Sequence, residues 1–322
     1  MMRAAWLTLC AALFCAGSFP AAHADDYPTR PVRVLVGFPA GASADITARV
    51  VGHRMGQLLG QQFVIENKPG AGSNLAAELV ARAPKDGYTL LLVTIANPIN
   101  AVIKPNLGFA FPADFAPVIR LVTTPNILVV HPSLGVKTVT ELIDLAKAKP
   151  DQLLFASSGV ATGTHLAAEL FKLLTGTKMV HVPYAGSPPA ITDLLAGRVQ
   201  VFFSPVSTVL PHVRAGQLVA LASTEARRSA AMPELPTMAE AGVPGFEAGL
   251  WFGLLAPAGT PSDVVAKLNR AANEALQADE VRKALAQQGI DPVGGTPEEF
   301  ASYIDGEMQR WAMVAEAAGL KN

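Results

Sequence analysis

Cysteine is almost absent from this sequence, which has 2 in 322 residues, Cys10 and Cys15, both near the amino terminus. Without the first 24 residues the chain has no disulfide, no thiol nucleophile and no cysteine ligand for a metal. Charged residues are also scarce, at 16% compared with about 25% in an average soluble protein. The net charge is −1 and there is no basic run, so we expect no binding to nucleic acid.

The sequence also lacks the motifs that mark common catalytic and cofactor sites. It contains no nucleophile elbow, no P-loop, no HExxH zinc motif and no complete dinucleotide fingerprint. His165 and Glu169, four residues apart on a predicted helix, are a candidate metal pair, but we interpret them as a polar pair on a solvated face. We therefore expect no enzyme activity, no metal and no cofactor. A secreted hydrolase that uses Ser43 or Ser158 with His165 stays open as an alternative.

The first 24 residues have the pattern of a secretory signal peptide. Arg3 provides a positive charge, residues 4–19 are uncharged, and Ala22-His23-Ala24 is a small-residue cleavage site. The uncharged run is shorter than the roughly 20 apolar residues of a membrane-spanning helix. We predict that residues 1–24 are cleaved and that the mature chain is exported.

Half of the residues are hydrophobic, and short apolar runs alternate with segments of helical periodicity. Val32–Gly37 predicts a strand and Ser43–Leu59 a helix, and the same order recurs along the chain. This alternation is typical of an α/β fold with parallel strands.

A late apolar run indicates that the two halves of the chain are interwoven. Leu250–Leu255 needs a sheet to join, and we expect it to return to the first sheet beside Ile127–Val130. The chain then crosses twice between two domains and leaves a hinged cleft between them. The predicted domains are residues 25–124 with 249–322, and residues 125–248.

Three loops rich in small residues each precede a predicted helix: Phe38–Ser43, Pro69–Asn74 and Ser157–Thr164. The first amides of a helix have no internal partner, and the helix dipole adds about half a positive charge at this end. Glycine and alanine let a ligand approach the backbone, and serine and threonine add hydroxyl donors. Since the loops contain no lysine or arginine, they predict an anion site of amides and hydroxyls, suited to a carboxylate or a phosphate.

Four single residues need separate interpretations. Asp45 would repel a bound carboxylate, so we interpret it as a first-turn residue that balances the helix dipole. Tyr184 is either an aromatic wall of the site or a half-buried core residue. Trp251 and Phe252 are interpreted as core of the sheet rather than as ligand contacts.

Several motifs resemble one known family and recur in its order from Tyr27 to the carboxyl terminus. They are Tyr27–Arg33 (YPTRPVR), Phe38–Gly41 (FPAG) with Asp45 and Arg49, Glu66–Gly72 (ENKPGAG), Pro84–Leu90 (PKDGYTL), Val182–Tyr184 (VPY) with Asp193 and Leu194, and Arg310 with Trp311. On these motifs the chain resembles the Bug extracytoplasmic solute receptors, the TctC-like substrate-binding proteins of tripartite tricarboxylate transporters.

This resemblance implies a periplasmic protein of two α/β domains, the Venus-flytrap or periplasmic-binding-protein fold, with a carboxylate in the cleft between the domains. Amides, hydroxyls and ordered waters, rather than arginine or lysine, would hold that carboxylate. The resemblance implies binding segments at residues 38–43, 73–74, 94–97, 157–158 and 162–165, and at Tyr184. The binding residues within them are Phe38, Ala40, Gly41, Ala42, Ser43, Ser73, Asn74, Thr94, Asn97, Ser157, Ser158, Thr162, Gly163, Thr164, His165 and Tyr184.

The resemblance also implies partners in the membrane. These are TctA- and TctB-like permease subunits or, for members that serve signalling, a sensor protein, and we expect the receptor itself to be a monomer. We therefore predict an uptake receptor for a small organic carboxylate. The alternative is a ligand-sensing domain that docks to a membrane signalling partner.

The sequence departs from the family pattern close to the predicted site. Ala42, Ser73 and Ala76 stand where the family usually has glycine. Ala185 replaces a frequent lysine, and Gln200 replaces a common aspartate. These changes leave the ligand open between a mono- and a dicarboxylate, and between aliphatic, aromatic and amino acids.

Overall fold

A computed structural model describes residues 27–104 and 106–320. The predicted signal peptide, residues 1–24, lies outside the described residues. Within the described residues, no helix has both the length and the apolar character that a membrane span requires.

Two β-sheets carry the strands of the described chain. The strands are Val32–Val36 (β1), Phe63–Asn67 (β2), Thr89–Thr94 (β3), Phe115–Thr124 (β4), Asn126–Val130 (β5), Leu154–Ser157 (β6), Val180–Pro183 (β7), Val201–Pro205 (β8), Val219–Ser223 (β9), Leu250–Pro257 (β10) and Asp291–Pro292 (β11). The first sheet has the order β11-β4-β10-β3-β1-β2, and the second has the order β7-β6-β8-β5-β9.

Helices connect most of the strands. They are Ser43–Leu59 (α1), Asn74–Ala81 (α2), Ala96–Ile103 (α3), Val139–Ala148 (α4), Gly163–Thr175 (α5), Ser187–Leu195 (α6), Val206–Arg214 (α7), Ser262–Gln277 (α8), Asp279–Gln287 (α9) and Pro297–Ala317 (α10). α10 begins with a complete capping box, in which Thr296 and Glu299 satisfy each other's backbone amides. The predicted α/β class is therefore confirmed.

The last long strand of the chain returns to the first sheet, as predicted, but its predicted neighbour is wrong. β10 pairs antiparallel with β3 on one side and with β4 on the other. Ile127–Val130 belongs to β5, which lies in the second sheet between β8 and β9. Only Pro125 separates β4 from β5, and proline cannot donate to a strand ladder, so one apolar stretch is divided between two sheets.

Sequence patterns did not predict three of the elements that shape the site. α3 and α7 contain Pro98 and Pro211, residues that argue against a helix interior. Pro98 lies in the first turn of α3, where the missing N–H costs nothing. β4 was missed because Pro117 and Arg120 interrupt its apolar alternation.

A buried carboxylate attaches the final helix to the first sheet. Glu307 on α10 is 6% exposed, and its Oε2 accepts hydrogen bonds from the indole nitrogens of Trp251, at 2.9 Å, and Trp311, at 3.2 Å. Trp251 also packs edge-on against Phe300 and Tyr303. The interpretation of Trp251 as core is therefore confirmed.

Replacement of Glu307 should destabilise the protein strongly. Glu307→Leu leaves two buried indole N–H groups without an acceptor, and we expect a loss of about 2–6 kcal/mol in the free energy of unfolding. Asp305→Leu is the matched control, since Asp305 is exposed on the same helix; we expect a change of about 0.5 kcal/mol or less. Equal denaturation midpoints for the two variants would contradict this account.

Candidate functional site

Five helices begin at one narrow pocket between the two sheets. Its cavity volume is about 30 Å³, within about 370 Å³ of atom-free space that includes open solvent. Its lining residues are Phe38, Ala42, Ser43, Ala44, Thr94, Ile95, Ala96, Ser158, Thr162, Gly163, Thr164, Ser187, Pro205, Leu250 and Phe252. They include the start of α1, α3, α5 and α6, and the residue that precedes α7.

The backbone amides at these helix starts precede the helical hydrogen-bond ladder. In α1 the Ile46 amide donates to the Ala42 carbonyl at 3.0 Å, and in α5 the Leu166 amide donates to the Thr162 carbonyl at 3.0 Å. The amides of residues 43–45 and 163–165 come before these bonds, so no helical carbonyl is available to them. They are donors, aided by two helix dipoles, for an anion in the pocket.

The lining of the pocket contains no acidic or basic side chain. Asp45, in the first turn of α1, is held by the Arg49 guanidinium, the Gly41 amide and the Asn67 side chain, at 2.9–3.0 Å. Burial raises the pKa of Asp45, but these hydrogen bonds outweigh it and leave the pKa below the usual value of 3.8. The Asp45 carboxylate is therefore bound to groups that lie outside the lining of the pocket.

Hydroxyl groups of the α5 loop form a compact network at the pocket wall. The Ser158 hydroxyl lies 2.9 Å from the Thr164 hydroxyl and 3.3 Å from that of Thr162. The Ser158 amide donates to the Thr164 hydroxyl at 2.8 Å. Because this amide already has a hydrogen-bond acceptor, Ser158 can contact a ligand through its hydroxyl group but not through its N–H.

Contacts across the pocket join segments that belong to different sheets. The Asn100 amide nitrogen donates to the Ala161 carbonyl at 3.1 Å, and the Ser43 hydroxyl is hydrogen-bonded to that of Ser207. A Cβ atom added at Gly163 would lie 2.4 Å from Leu250 and 2.8 Å from Ile95. The two sides therefore touch, and glycine at position 163 permits the approach.

The structure places half of the predicted binding residues in the pocket. Eight of them line it: Phe38, Ala42, Ser43, Thr94, Ser158, Thr162, Gly163 and Thr164. The other eight lie outside this lining: Ala40, Gly41, Ser73, Asn74, Asn97, Ser157, His165 and Tyr184. Their role as ligand contacts stays a prediction.

Several of these outer residues support the loops. Ala40 and Gly41 are exposed on the turn before α1. The Asn97 side chain accepts from the Thr94 amide at 3.0 Å and so fixes the start of α3. Ser73 and Asn74 are buried.

Polar atoms without a protein partner are concentrated next to the second small-residue loop. The Ser73 hydroxyl, both side-chain polar atoms of Asn74 and the Asn100 Oδ1 are buried, and none has a hydrogen-bond partner in the described part of the chain. Buried polar groups normally have partners in a folded protein. This loop is therefore suited to ordered water.

Tyr184 lines a second, larger cavity, which we call the vestibule. The vestibule has a cavity volume of about 360 Å³ and is lined by Gly37, Phe38, Pro69, Gly70, Ala71, Gly72, Lys104, Ser158, Gly159, Val160, Pro183, Tyr184 and Ala185. The Tyr184 hydroxyl donates to Asp193 at 2.7 Å, and burial, aided by this bond, raises its pKa to about 12. Tyr184 therefore forms an aromatic wall of the vestibule, and its hydroxyl proton is engaged in the hydrogen bond to Asp193.

Sequence reasoning missed five lining residues of the pocket, Ala44, Ser187, Pro205, Leu250 and Phe252, whereas Ile95 and Ala96 lie in the predicted segment 94–97. Phe252 is buried in the core, as predicted, and it also lines the pocket because β10 runs through the middle of the first sheet and its end faces the pocket. Ser187-Pro188-Pro189 was a usable signal, since proline in the first turn marks a helix start.

His165 lies behind the pocket in a stack of buried rings. Its ring centroid is 4.0 Å from that of His181, which is 4.9 Å from that of Phe155. Burial, aided by His181 and Lys172, lowers the pKa of His165 from 6.5 to about 3. Burial and Lys172 lower the pKa of His181 to about 4. Both rings are therefore neutral at pH 7.

The solvated face predicted for His165 and Glu169 was wrong. His165 is 3% exposed and Glu169 is 9% exposed, and His165 Nε2 lies 3.6 Å from Glu169 Oε1. Lys172 holds the same carboxylate at 2.8 Å. No group of three or more histidine, cysteine, aspartate or glutamate residues within the described ranges is arranged to hold a metal ion.

The geometry does not assemble the serine and histidine pairs of the hydrolase alternative. His165 Nδ1 accepts a hydrogen bond from the Ala161 amide at 3.3 Å. The hydroxyls of Ser43 and Ser158 instead contact Ser207 and the α5 threonines. Ser157 is the serine that meets a histidine, at 2.6 Å from His181 Nε2, and it is fully buried.

Comparisons with known proteins agree with this architecture. Residues 47–320 match the family described as "Tripartite tricarboxylate transporter family receptor", TctC. This chain belongs to that family of solute-binding receptors. Its fold, with a cleft between two α/β units, is that of the periplasmic binding proteins.

Relatives with similar sequences or structures cover nearly the whole chain. Protein BugT of Bordetella pertussis is 40% identical over 308 residues, which span 95% of this chain and 94% of BugT. R. palustris Rpa4515, solved with adipate, has a TM-score of 0.88 and 38% identity, covering 91% of this chain and 99% of its own. MatC of Rhodopseudomonas palustris, solved with malate, has a TM-score of 0.85 and 33% identity, covering 89% and 99%.

A methyl group at position 163 should weaken ligand binding. Gly163→Ala puts its Cβ against Leu250 and Ile95 when the two sides meet. We expect a cost of about 1–3 kcal/mol, a loss of roughly five- to 150-fold in affinity by calorimetry. The matched control is Gly306→Ala, which meets nothing within 4 Å. Unchanged affinity in Gly163→Ala would show that binding does not need this contact.

The histidine stack should make stability depend on pH. Because both folded pKa values lie below 6.5, the unfolded chain binds protons that the folded chain excludes between about pH 6.5 and pH 4. The free energy of unfolding should therefore be highest above pH 6.5, where both rings are neutral in either state. It should fall towards pH 4 by up to about 1.4 kcal/mol per pH unit for each ring.

Urea unfolding at a series of pH values measures this slope. His181→Phe should reduce the slope. Phe155→Leu should lower stability at every pH without changing the slope, since it disturbs the stack but removes no titrating group. If the free energy of unfolding of His181→Phe depends on pH as steeply as that of the wild type, the histidine stack is not the source of the pH dependence.

Proposed function

We propose that this protein is a periplasmic receptor that captures a small organic carboxylate in the pocket. The observation that carries the proposal is the convergence of five helix starts on a pocket without charged side chains. Such a pocket gives an anion the first-turn amides of α1 and α5 and positive dipole ends, and it offers a cation no negatively charged side chain. Rpa4515 was solved with adipate and MatC with malate, which supports a carboxylate rather than a phosphate.

In this proposal the carboxylate is held by the first turns of α1 and α5, with hydroxyls of Ser43, Ser158 and Thr164 as further donors. Each charge-assisted hydrogen bond contributes about 1.5–3 kcal/mol. Five or six of them, after the entropic cost of ordering the ligand and the loops is subtracted, support a binding free energy of about −8 kcal/mol, which corresponds to a micromolar Kd. The apolar side chains of Ile95, Leu250 and Phe252 are placed to contact the body of the ligand.

The two sheets are proposed to be the cores of two domains, residues 25–124 with 249–322, and residues 125–248. The chain passes from the first sheet to the second at Pro125 and returns just before β10. Rotation about these crossings would separate α1 from α5 and open the pocket. Ligand binding would favour the closed arrangement because only there do both helix starts reach the same anion.

Residues 1–24 are proposed to be a cleaved signal peptide that directs the receptor to the periplasm. The family description as a receptor of tripartite tricarboxylate transporters supports delivery of the ligand to membrane permease subunits. We propose a binding protein without catalysis, acting as a monomer.

Thermal unfolding of the chain without residues 1–24 tests this function. The panel contains mono-, di- and tricarboxylates, aromatic acids and amino acids, each compared with phosphate and with a primary amine. A ligand at 100 times its Kd adds about 2.7 kcal/mol, which should raise Tm by roughly 5 °C.

At least one carboxylate should produce this shift, whereas phosphate and the amine should not. The protein is unfolded and refolded before the screen, so that a ligand retained during purification cannot mask the result. No shift with any carboxylate after this step would contradict the proposed function.

A further inference from the structure

The vestibule adjoins the pocket directly. Phe38 and Ser158 line both cavities, so a ligand that extends past them leaves the first cavity and enters the second. The walls of the vestibule come from both sheets, with residues 69–72 on one side and 158–160 on the other. An extended ligand would therefore still contact both domains.

The electrostatics of the vestibule differ from those of the pocket. Among its lining residues, Lys104 is the only one with a charged side chain at pH 7, and no acidic side chain lines it. The Lys104 ammonium has no ion pair or hydrogen bond within residues 27–104 and 106–320. A cation without a partner, in a cavity whose other walls are small or apolar, is a site for a second negative charge.

The position of Lys104 is fixed by α3, which begins at the pocket and ends at the vestibule. The Lys104 amide donates to the Asn100 carbonyl at 2.8 Å, closing the last turn of the helix. The Asn100 side chain makes the hydrogen bond across the cleft to Ala161. Lys104 therefore lies one turn beyond a contact that exists only when the two sides meet, and it faces a vestibule formed by the same closure.

We infer that Lys104 selects an elongated dicarboxylate. One carboxylate binds at the helix starts of the pocket, the carbon chain passes Phe38 and Ser158, and the second carboxylate binds the Lys104 ammonium in the vestibule. This inference rests on the proposed function and narrows its ligand class from carboxylates in general to dicarboxylates long enough to join the two cavities.

Calorimetry with the purified chain and its Lys104→Met variant tests the inference. The probes are unbranched dicarboxylates from malonate to azelate, each paired with the monocarboxylate of the same carbon number, as adipate is paired with hexanoate. Lys137→Met, at an exposed site on the loop before α4, is the matched control for the loss of one positive charge.

In the wild type, a dicarboxylate above a threshold length should bind more tightly than its monocarboxylate partner. Lys104→Met should weaken that dicarboxylate by about ten- to 100-fold and leave the monocarboxylate unchanged, because a charge-assisted hydrogen bond has this magnitude. Lys104→Arg should retain most of the preference, and Lys137→Met all of it.

The results that overturn the inference are distinct from those that overturn the proposed function. If Lys104→Met leaves every dicarboxylate unchanged, or weakens both members of a pair equally, Lys104 does not select a second carboxylate, while the receptor function stands. The same holds if only monocarboxylates bind. If no carboxylate binds to the wild type, the proposed function fails and the inference fails with it.

Discussion

The structure depends on one property of the α-helix, the amides of the first turn that the helix cannot satisfy by itself. In most proteins these groups face water or a capping side chain. Here five helices begin at one pocket, the first-turn amides of α1 and α5 precede their helical ladders, and the lining contains no charged side chain. The surrounding groups keep that balance, since Asp45 is bound by Arg49 and Asn67 away from the pocket. The helix starts therefore favour an anion in the pocket without any cationic side chain in its lining.

The interwoven chain gives this pocket its two sides. β10 completes the first sheet by lying between β3 and β4, although in the sequence it follows all the strands of the second sheet. Glu307 then joins α10 to β10 through Trp251. The two sheets are thus connected at Pro125 and through residues 224–249, and the proposed hinge motion would occur about these connections while each sheet keeps its own packing.

The neutral histidine stack and the single lysine serve different parts of the same cleft. Burial keeps His165 and His181 neutral, and the charges beside them are those of the paired Glu169 and Lys172. Lys104 is half-buried at the wall of the vestibule. In the proposed function, one end of the cleft recognises an anion by backbone dipoles and the other recognises it by a point charge.

The sequence by itself determined the α/β class, the first-turn segments of α1 and α5, and the absence of charge from their loops, because these follow from local periodicity and composition. It did not reveal the helices that contain Pro98 and Pro211, or the neighbour of β10, because neighbouring strands are chosen by long-range packing. Nor could any pattern show that Lys104 and Phe252 face a cleft. Only the tertiary structure decided that, since a cavity exists between elements that are distant in sequence and is encoded in none of them alone.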